Sequence, residues 1–229
     1  MSDSRRNAEL FEQFARVGKA LGSAKRLELL DLIAQSERTV DALAEGAGLG
    51  VTSASAHLQV LKQARLVTTR RDGVRVYYSL AGEDVAQLYT MLRRVASAHL
   101  AEVEPAWLAF LGMDRTQAAE LETADVAREE LVERIRDGSA VVLDVRPEVE
   151  YVAGHIPGAI SMPVDELPGR LNELPADTDV VAYCRGAYCV MAYEAVAMLR
   201  KHGHRASLLE DGLLEWRVAG LAVATHAAS

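Results

Sequence analysis

The feature that most constrains this chain is the dipeptide Asp72-Gly73. It lies between two β-prone runs, Leu66-Val67-Thr68-Thr69-Arg70-Arg71 and Val74-Arg75-Val76-Tyr77-Tyr78-Ser79-Leu80. Asp-Gly in that setting predicts a tight antiparallel hairpin, because both residues tolerate the positive φ that such turns demand. What precedes the hairpin reads as helix. Asn7 to Leu21 places Leu10, Phe11, Phe14, Val17, Ala20 and Leu21 at helical spacing. Ser23 can cap a second helix carrying Leu27, Leu29, Leu30, Leu32 and Ile33. A short helix is expected from about Val40 to Ala47, and Gly46, Gly48 and Gly50 supply a turn. The next helix starts at Thr52 or Ser53 and carries Leu58, Val60 and Leu61. After the hairpin, one long helix is expected from about Gly82 to Leu111. Its stripe of Val85, Leu88, Leu92 and Val95 suits packing against another helix, across a dimer axis.

The pattern then changes. Residues 113–123 are polar and acidic and read as a connector. Asp125 to Asp137 is amphipathic. Ala140 to Val145, Val180 to Tyr183 and Ala206 to Leu209 are short strand runs, and Val190 to His202 is a helix stopped by Gly203. Such alternation predicts an α/β domain with a parallel sheet. The expected organisation is therefore two domains, 1–112 and 124–229, joined by a linker at 113–123. Half of all residues are hydrophobic, enough to fill a core in each. No apolar run approaches the roughly eighteen residues of a membrane helix, and the N-terminus leads into an amphipathic segment. A cytoplasmic protein with no membrane partner is expected.

The net charge of −8 is unevenly spread. Residues 1–112 carry 14 Lys and Arg against 13 Asp and Glu, a balance of +1; residues 113–229 carry 11 against 20, a balance of −9. Within 51–80, Lys62, Arg65, Arg70, Arg71 and Arg75 face a single acid, Asp72. A locally basic surface on an acidic protein suits a face for double-stranded DNA. Two helices about a glycine turn, followed by a hairpin, follow the plan of a winged helix-turn-helix, a mostly α domain with a β-hairpin wing. The candidate recognition helix offers Thr52, Ser53, Ser55, His57 and Gln59 to phosphates and base edges, and Arg70, Arg71 and Arg75 sit on the wing. Each polar residue also has a plainer use: Ser53 and Ser55 as cap and surface, His57 as a buried polar contact.

The stretch Leu43 to Leu80 resembles the arsenical-resistance-repressor (ArsR) family in Thr52, Ser55, His57-Leu58, Val60-Leu61, Ala64, Leu66-Val67, Gly73 and Tyr77-Tyr78. The resemblance spans about residues 10–105. It implies a homodimer, paired through its first and last helices, on an inverted-repeat operator. Arg65 stands where the family usually has glycine, so an arginine in the left-handed region is expected there. The family's metal ligands are not matched. Residues 37–43 contain no cysteine, and His99 with Glu102 lack the second ligand pair of a zinc site. No metal and no cofactor are expected, and His99 is assigned to the dimer stripe.

The only two cysteines, Cys184 and Cys189, are five positions apart, which excludes a structural disulfide framework and points to chemistry or sensing. Cys184 follows a buried strand and precedes a helix. Loop amides and the helix dipole at such a place stabilise a thiolate. Gly186 lets the backbone curl, and Arg185 can add positive charge. Three segments resemble the rhodanese superfamily, in order, over about residues 124–224. They are Leu143-Asp144-Val145-Arg146, Glu150-Tyr151 and Gly154-His155-Ile156-Pro157-Gly158-Ala159-Ile160, then Tyr183-Cys184-Arg185, and finally Asp211-Gly212-Leu213-Leu214-Glu215-Trp216 with Ala219-Gly220-Leu221. The resemblance implies that Cys184 accepts a sulfane sulfur as a persulfide. Its active loop would be Cys184, Arg185, Gly186, Ala187, Tyr188 and Cys189. Asp144 and Arg146 then form a buried structural pair beside the loop, and Trp216 and His155 are core. Related phosphatases end a longer loop in arginine; here that position is Val190, which argues against phosphate chemistry.

Together these features predict a DNA-binding transcription regulator whose second domain senses or transfers sulfane sulfur from a small donor, or answers thiol oxidation. Two alternatives stay open: a thiosulfate or persulfide sulfurtransferase tethered by the DNA-binding domain, and a repressor with an inert docking module. Cys189 is open between resolving Cys184 and serving as a small core residue.

Overall fold

A computed structural model describes residues 3–122, 125–175, 177–186 and 188–226. It divides into two compact units between Tyr89 and Thr90. The first unit opens with α1 (Asp3–Leu21), α2 (Ala24–Gln35), β1 (Arg38–Thr39), α3 (Val40–Gly46) and α4 (Val51–Gln63). The hairpin β2 (Val67–Asp72) and β3 (Arg75–Leu80) follows, and then α5 (Glu83–His99) begins. The three strands form an antiparallel sheet in the order β1-β3-β2. Leu29 and Leu30 of α2, Leu43 of α3, and Leu58 and Leu61 of α4 are fully buried and make the core. Their periodicity is what the sequence displays, because a helix half in water must keep one apolar stripe.

Ser23 sits at the start of α2, but its side chain makes no capping bond; Thr39 does cap α3, accepting from the Ala42 N–H at 3.3 Å. Asp72 pairs with Arg75, so the two-residue turn is Gly73-Val74, one position later than Asp72-Gly73. Gly73 takes φ +58°. On α1, Leu10, Phe11 and Phe14 lie on the surface of this single chain, as do Leu88, Met91 and Val95 of α5.

The second unit contains the rest of α5, then α6 (Val103–Leu111), α7 (Arg115–Glu122), α8 (Arg128–Asp137), β4 (Ala140–Asp144), α9 (Glu148–Ala153) and β5 (Ile160–Ser161). After these come α10 (Leu167–Arg170) with a 3-10 turn, β6 (Asp179–Tyr183), α11 (Val190–Lys201), β7 (Ala206–Leu208) and α12 (Leu213–Val218). The long helix expected from Gly82 to Leu111 is two helices. Pro105 falls in the first turn of α6, where its missing N–H does no harm. Had the helix run through, its ring would have met the Ala101 carbonyl. Most of the polar segment expected as a connector forms α7, packed on β7 and α11.

The four strands are parallel in the order β5-β4-β6-β7. Side chains alternate faces. Leu143, Val180 and Ala182 join Val196 and Leu199 of α11 on one side; Val142, Val181 and Tyr183 join Leu131 and Trp216 on the other. This burial on both faces explains the unbroken apolar runs of β4 and β6. Gly203, at φ +88°, ends α11.

Candidate functional site

The thiol loop starts where β6 ends. Cys184 is buried at the sheet's C-terminal edge, and Cys189 stands immediately before α11. In a parallel α/β sheet that edge is where ligand sites form. The two cysteines are joined by a disulfide, with Cα atoms 6.1 Å apart. The chain thus has one local bridge across this loop in place of two separate thiols. The spacing satisfies the geometric limit for such a bond. Within the loop, the Cys189 N–H donates to the Gly186 carbonyl at 3.1 Å. Leu213 N–H donates to the Cys184 carbonyl at 3.0 Å, tying the loop to the start of α12. Ala187 lies outside the described residues. A cavity of ≈ 20 Å³ touches both cysteines, with Gly186, Ala192 and Leu208 among its walls.

The loop rests on glycine. A Cβ added at Gly212 would stand 2.1 Å from the Gly186 nitrogen and 2.2 Å from its Cα, both backbone atoms. Only a residue without a side chain permits that approach, which gives the Asp211-Gly212 motif its physical meaning.

Beneath the loop lies a buried ionic network. Asp144 and Arg146 are both fully buried, with Arg146 Nη2 2.6 Å from Asp144 Oδ2 and Nε 3.0 Å from Oδ1. Arg146 also donates to the Gly154 carbonyl at 2.7 Å, and the Tyr183 hydroxyl donates to Asp144 Oδ2 at 2.5 Å. Burial works to lower the Arg146 pKa, but Asp144 and the neighbouring Tyr183 and Glu150 more than offset it, so the guanidinium stays charged. Burial also pushes the Tyr183 hydroxyl well above its usual range, helped by Asp144. The sequence marks Glu150 as part of the first rhodanese-like segment but not its role. Glu150 is fully buried and takes Arg185 in a two-pronged contact, Nη2 to Oε1 at 2.6 Å and Nε to Oε2 at 3.0 Å. Arg185 therefore anchors the loop to α9, and its charge is largely compensated. A glutamate in a helix gives no sign of burial; only its place in the first rhodanese-like segment could have flagged it. His155 and Trp216 are buried, His155 stacking on Tyr151 and Trp216 donating to the Ala222 carbonyl.

In the first unit, α4 presents Thr52, Ser53 and Gln59 at the surface, with Ser55 and His57 half-buried. Gln59 Nε2 donates to the Tyr78 hydroxyl at 3.3 Å, which ties this side chain to the hairpin. The wing arginines divide. Arg71 and Arg75 are exposed. Arg70 instead grips Glu37, with Nη2 2.6 Å from Oε2, and lies 4.6 Å over the Tyr77 ring. The Arg70 hydrogen bond holds the Glu37 carboxyl below the usual range. Nothing in the run of basic residues on the hairpin distinguishes Arg70, because its partner is thirty-three positions away.

Comparison with known proteins gives two family matches: "Bacterial regulatory protein, arsR family" over residues 23–69 and "Rhodanese-like domain" over residues 127–219. A relative from Mycobacterium tuberculosis, the HTH-type transcriptional regulator Rv0324, is 51% identical over 220 residues, covering 96% of this chain and 94% of its own length. A sulfurtransferase of Allochromatium vinosum is 36% identical over 101 residues, 43% of this chain and 92% of its own. Among solved structures, the homodimeric winged helix-turn-helix DNA-binding domain of Mb0332 from Mycobacterium bovis is 52% identical. It covers 44% of this chain and 93% of its own, with a TM-score of 0.41.

Proposed function

Because this chain belongs to the ArsR-type transcriptional regulators that carry a C-terminal rhodanese-like domain, we propose that it is a DNA-binding sensor of sulfane sulfur. Its switch is the Cys184–Cys189 pair. The observation that carries this reading is the bridge itself, two cysteines closed across the active loop at the end of β6.

The chemistry runs in two steps. The Cys184 thiolate attacks the outer sulfur of a persulfide or polysulfide, R–S–SH. A Cys184–S–SH persulfide forms, the donor's S–S bond breaks, and R–S⁻ leaves. The Cys189 thiolate, its proton given to solvent, then attacks Cys184 Sγ and expels HS⁻. The dithiol loses two electrons, and the sulfane sulfur leaves reduced to sulfide. The cavity lined by both cysteines is about the volume that holds one water-sized atom, room for the outer sulfur before it departs. The α11 N-terminus, which follows the loop, favours the anionic sulfur.

In the first unit, α4 is assigned to the major groove through Thr52, Ser53, Ser55, His57 and Gln59. Arg71 and Arg75 are assigned to phosphate. A second copy of the chain would cover the apolar faces of α1 and α5. A working sulfurtransferase is the second reading, favoured by the rhodanese-like match over residues 127–219 and by the partial resemblance to the Allochromatium vinosum sulfurtransferase. One experiment separates the two. Reduced full-length protein is treated with polysulfide and followed by mass spectrometry together with sulfide release. The sensor ends as the disulfide and releases sulfide once; Cys189→Ser stops at one added sulfur, and Cys184→Ser takes none. Repeated turnover of thiosulfate to cyanide, undiminished in Cys189→Ser, would favour the transferase. Equal reaction of wild type and Cys184→Ser would remove the loop from the chemistry altogether.

A further inference from the structure

The helices that precede the rhodanese-like segment reach its thiol loop. Arg93, in the second-unit part of α5, lays its guanidinium against Gly186. A Cβ added at Gly186 would stand 2.8 and 2.9 Å from its two terminal nitrogens. The same group lies 3.4 Å from Glu215 Oε1 and 5.5 Å from the centre of the Tyr188 ring. One turn further along α5, Ser97 Oγ hydrogen-bonds the Tyr188 hydroxyl. From α6, Trp107 sets its ring edge-on to Tyr188 and close to Tyr193 of α11, with centroids 5.5 Å apart in each case. Three side chains from outside residues 127–219 therefore hold two residues of the active loop.

The electrostatics favour Arg93 as the cation of the site. Arg185 is engaged at 2.6 Å by a fully buried carboxylate. Arg93 Nη1 lies 3.4 Å from Glu215 Oε1, and Glu215 Oε2 also accepts from the Gly212 N–H at 3.1 Å. Both side chains of the Arg93–Glu215 pair are less than a fifth exposed, so solvent screens them far less than a surface pair. A shielded positive charge beside a cysteine loop favours the thiolate.

We infer that Arg93, Ser97 and Trp107 are positioning residues of the thiol site, and that through them α5 carries the bond state of the loop toward the DNA-binding unit. α5 runs unbroken from Glu83 to His99. In the first unit its Val85, Ala86 and Tyr89 are buried, and the Tyr89 hydroxyl donates to Asp31 Oδ1 at 3.2 Å. With the bridge closed, Gly186 and Tyr188 belong to a covalent ring. With the thiols apart, the loop is held by its backbone bonds to Leu213 and Leu214 and by the α5 and α6 side chains. A change at Cys184 is therefore felt first by the residues that grip Gly186 and Tyr188. The inference rests on Cys184 as the sulfur-accepting thiol.

The test uses the full chain as wild type, Arg93→Met, Arg93→Lys, Ser97→Ala and Cys184→Ser. The first readout is alkylation of reduced Cys184 against pH, followed site by site. The second is amide hydrogen exchange across residues 83–99 before and after polysulfide. Arg93→Met should move the alkylation midpoint to higher pH, and Arg93→Lys should restore it. Polysulfide should change exchange in residues 83–89 of wild type, and Arg93→Met and Ser97→Ala should abolish that response. If Arg93→Met does not fold, Arg93→Lys and Ser97→Ala carry the test, with an absent response in Ser97→Ala the supporting result. Wild-type midpoint and wild-type exchange response in Arg93→Met, with the response absent in Cys184→Ser, would overturn the inference alone. A Cys184→Ser protein that responds as wild type does would overturn the functional reading and this inference with it.

Discussion

Arg65 is the residue at which backbone geometry and side-chain identity disagree. It closes the turn after α4 with φ +59°, among the described residues the one non-glycine in the left-handed region. Its N–H donates to the Lys62 carbonyl at 3.0 Å, and Leu66 N–H reaches back to Leu61 at 3.0 Å, so the turn is well made despite the strain. A Cβ in that region costs about 1–2 kcal/mol, and glycine returns part of the gain as greater freedom in the unfolded chain. Arg65→Gly should therefore raise stability by up to about 1 kcal/mol. Urea denaturation followed by circular dichroism checks this, and a lower midpoint would mean that the arginine side chain contributes more than its backbone costs. This position was readable from sequence, because the turn demands one conformation whatever residue occupies it. Gly212 was readable only as a member of a motif. Its reason, a backbone-to-backbone approach to Gly186, joins positions twenty-six residues apart and leaves no local pattern.

At the scale of elements, the hairpin and α4 supply a prediction that depends on how the wing arginines are engaged. Removing one phosphate-binding side chain should lower the slope of log affinity against log salt by about one. Arg71→Ala and Arg75→Ala should each do so on a duplex selected from random-sequence DNA by the reduced protein. Arg70→Ala should leave the slope nearly unchanged, because Arg70 is held by Glu37 and stacked on Tyr77. A slope lowered by a full unit in Arg70→Ala would show that DNA displaces Glu37. The α2, α3 and α4 helices, the hairpin, and strands β4, β6 and β7 were all visible in sequence, the helices by their apolar period and the buried strands by their short apolar runs. Shorter pieces were not. β1 and β5 are two residues each, too short for any period, and exist because a neighbouring strand offers a ladder. The break between α5 and α6 was signalled by Pro105, but apolar residues on both sides masked it.

For the molecule as a whole, the sequence already separates a near-neutral first part from a second part of charge −9. That asymmetry suits a chain in which one part meets DNA and the other does thiol chemistry. Among the described residues, no helix is long and apolar enough to cross a membrane. Sequence order alone places the cysteine loop and the recognition helix more than a hundred residues apart, and no motif says how one could inform the other. The packing of α5 and α6 side chains on Gly186 and Tyr188 provides a physical route. A tenfold change in DNA occupancy needs only about 1.4 kcal/mol of coupling. The central claim is that the bond state of Cys184 sets DNA affinity. Its most direct test is the affinity of full-length protein for the selected duplex at fixed salt, measured fully reduced and after polysulfide, in wild type and Cys184→Ser. The account predicts about a tenfold or larger difference between the two states in wild type and none in Cys184→Ser. Equal affinities of the reduced and treated wild-type protein, or the same shift in Cys184→Ser, would contradict it.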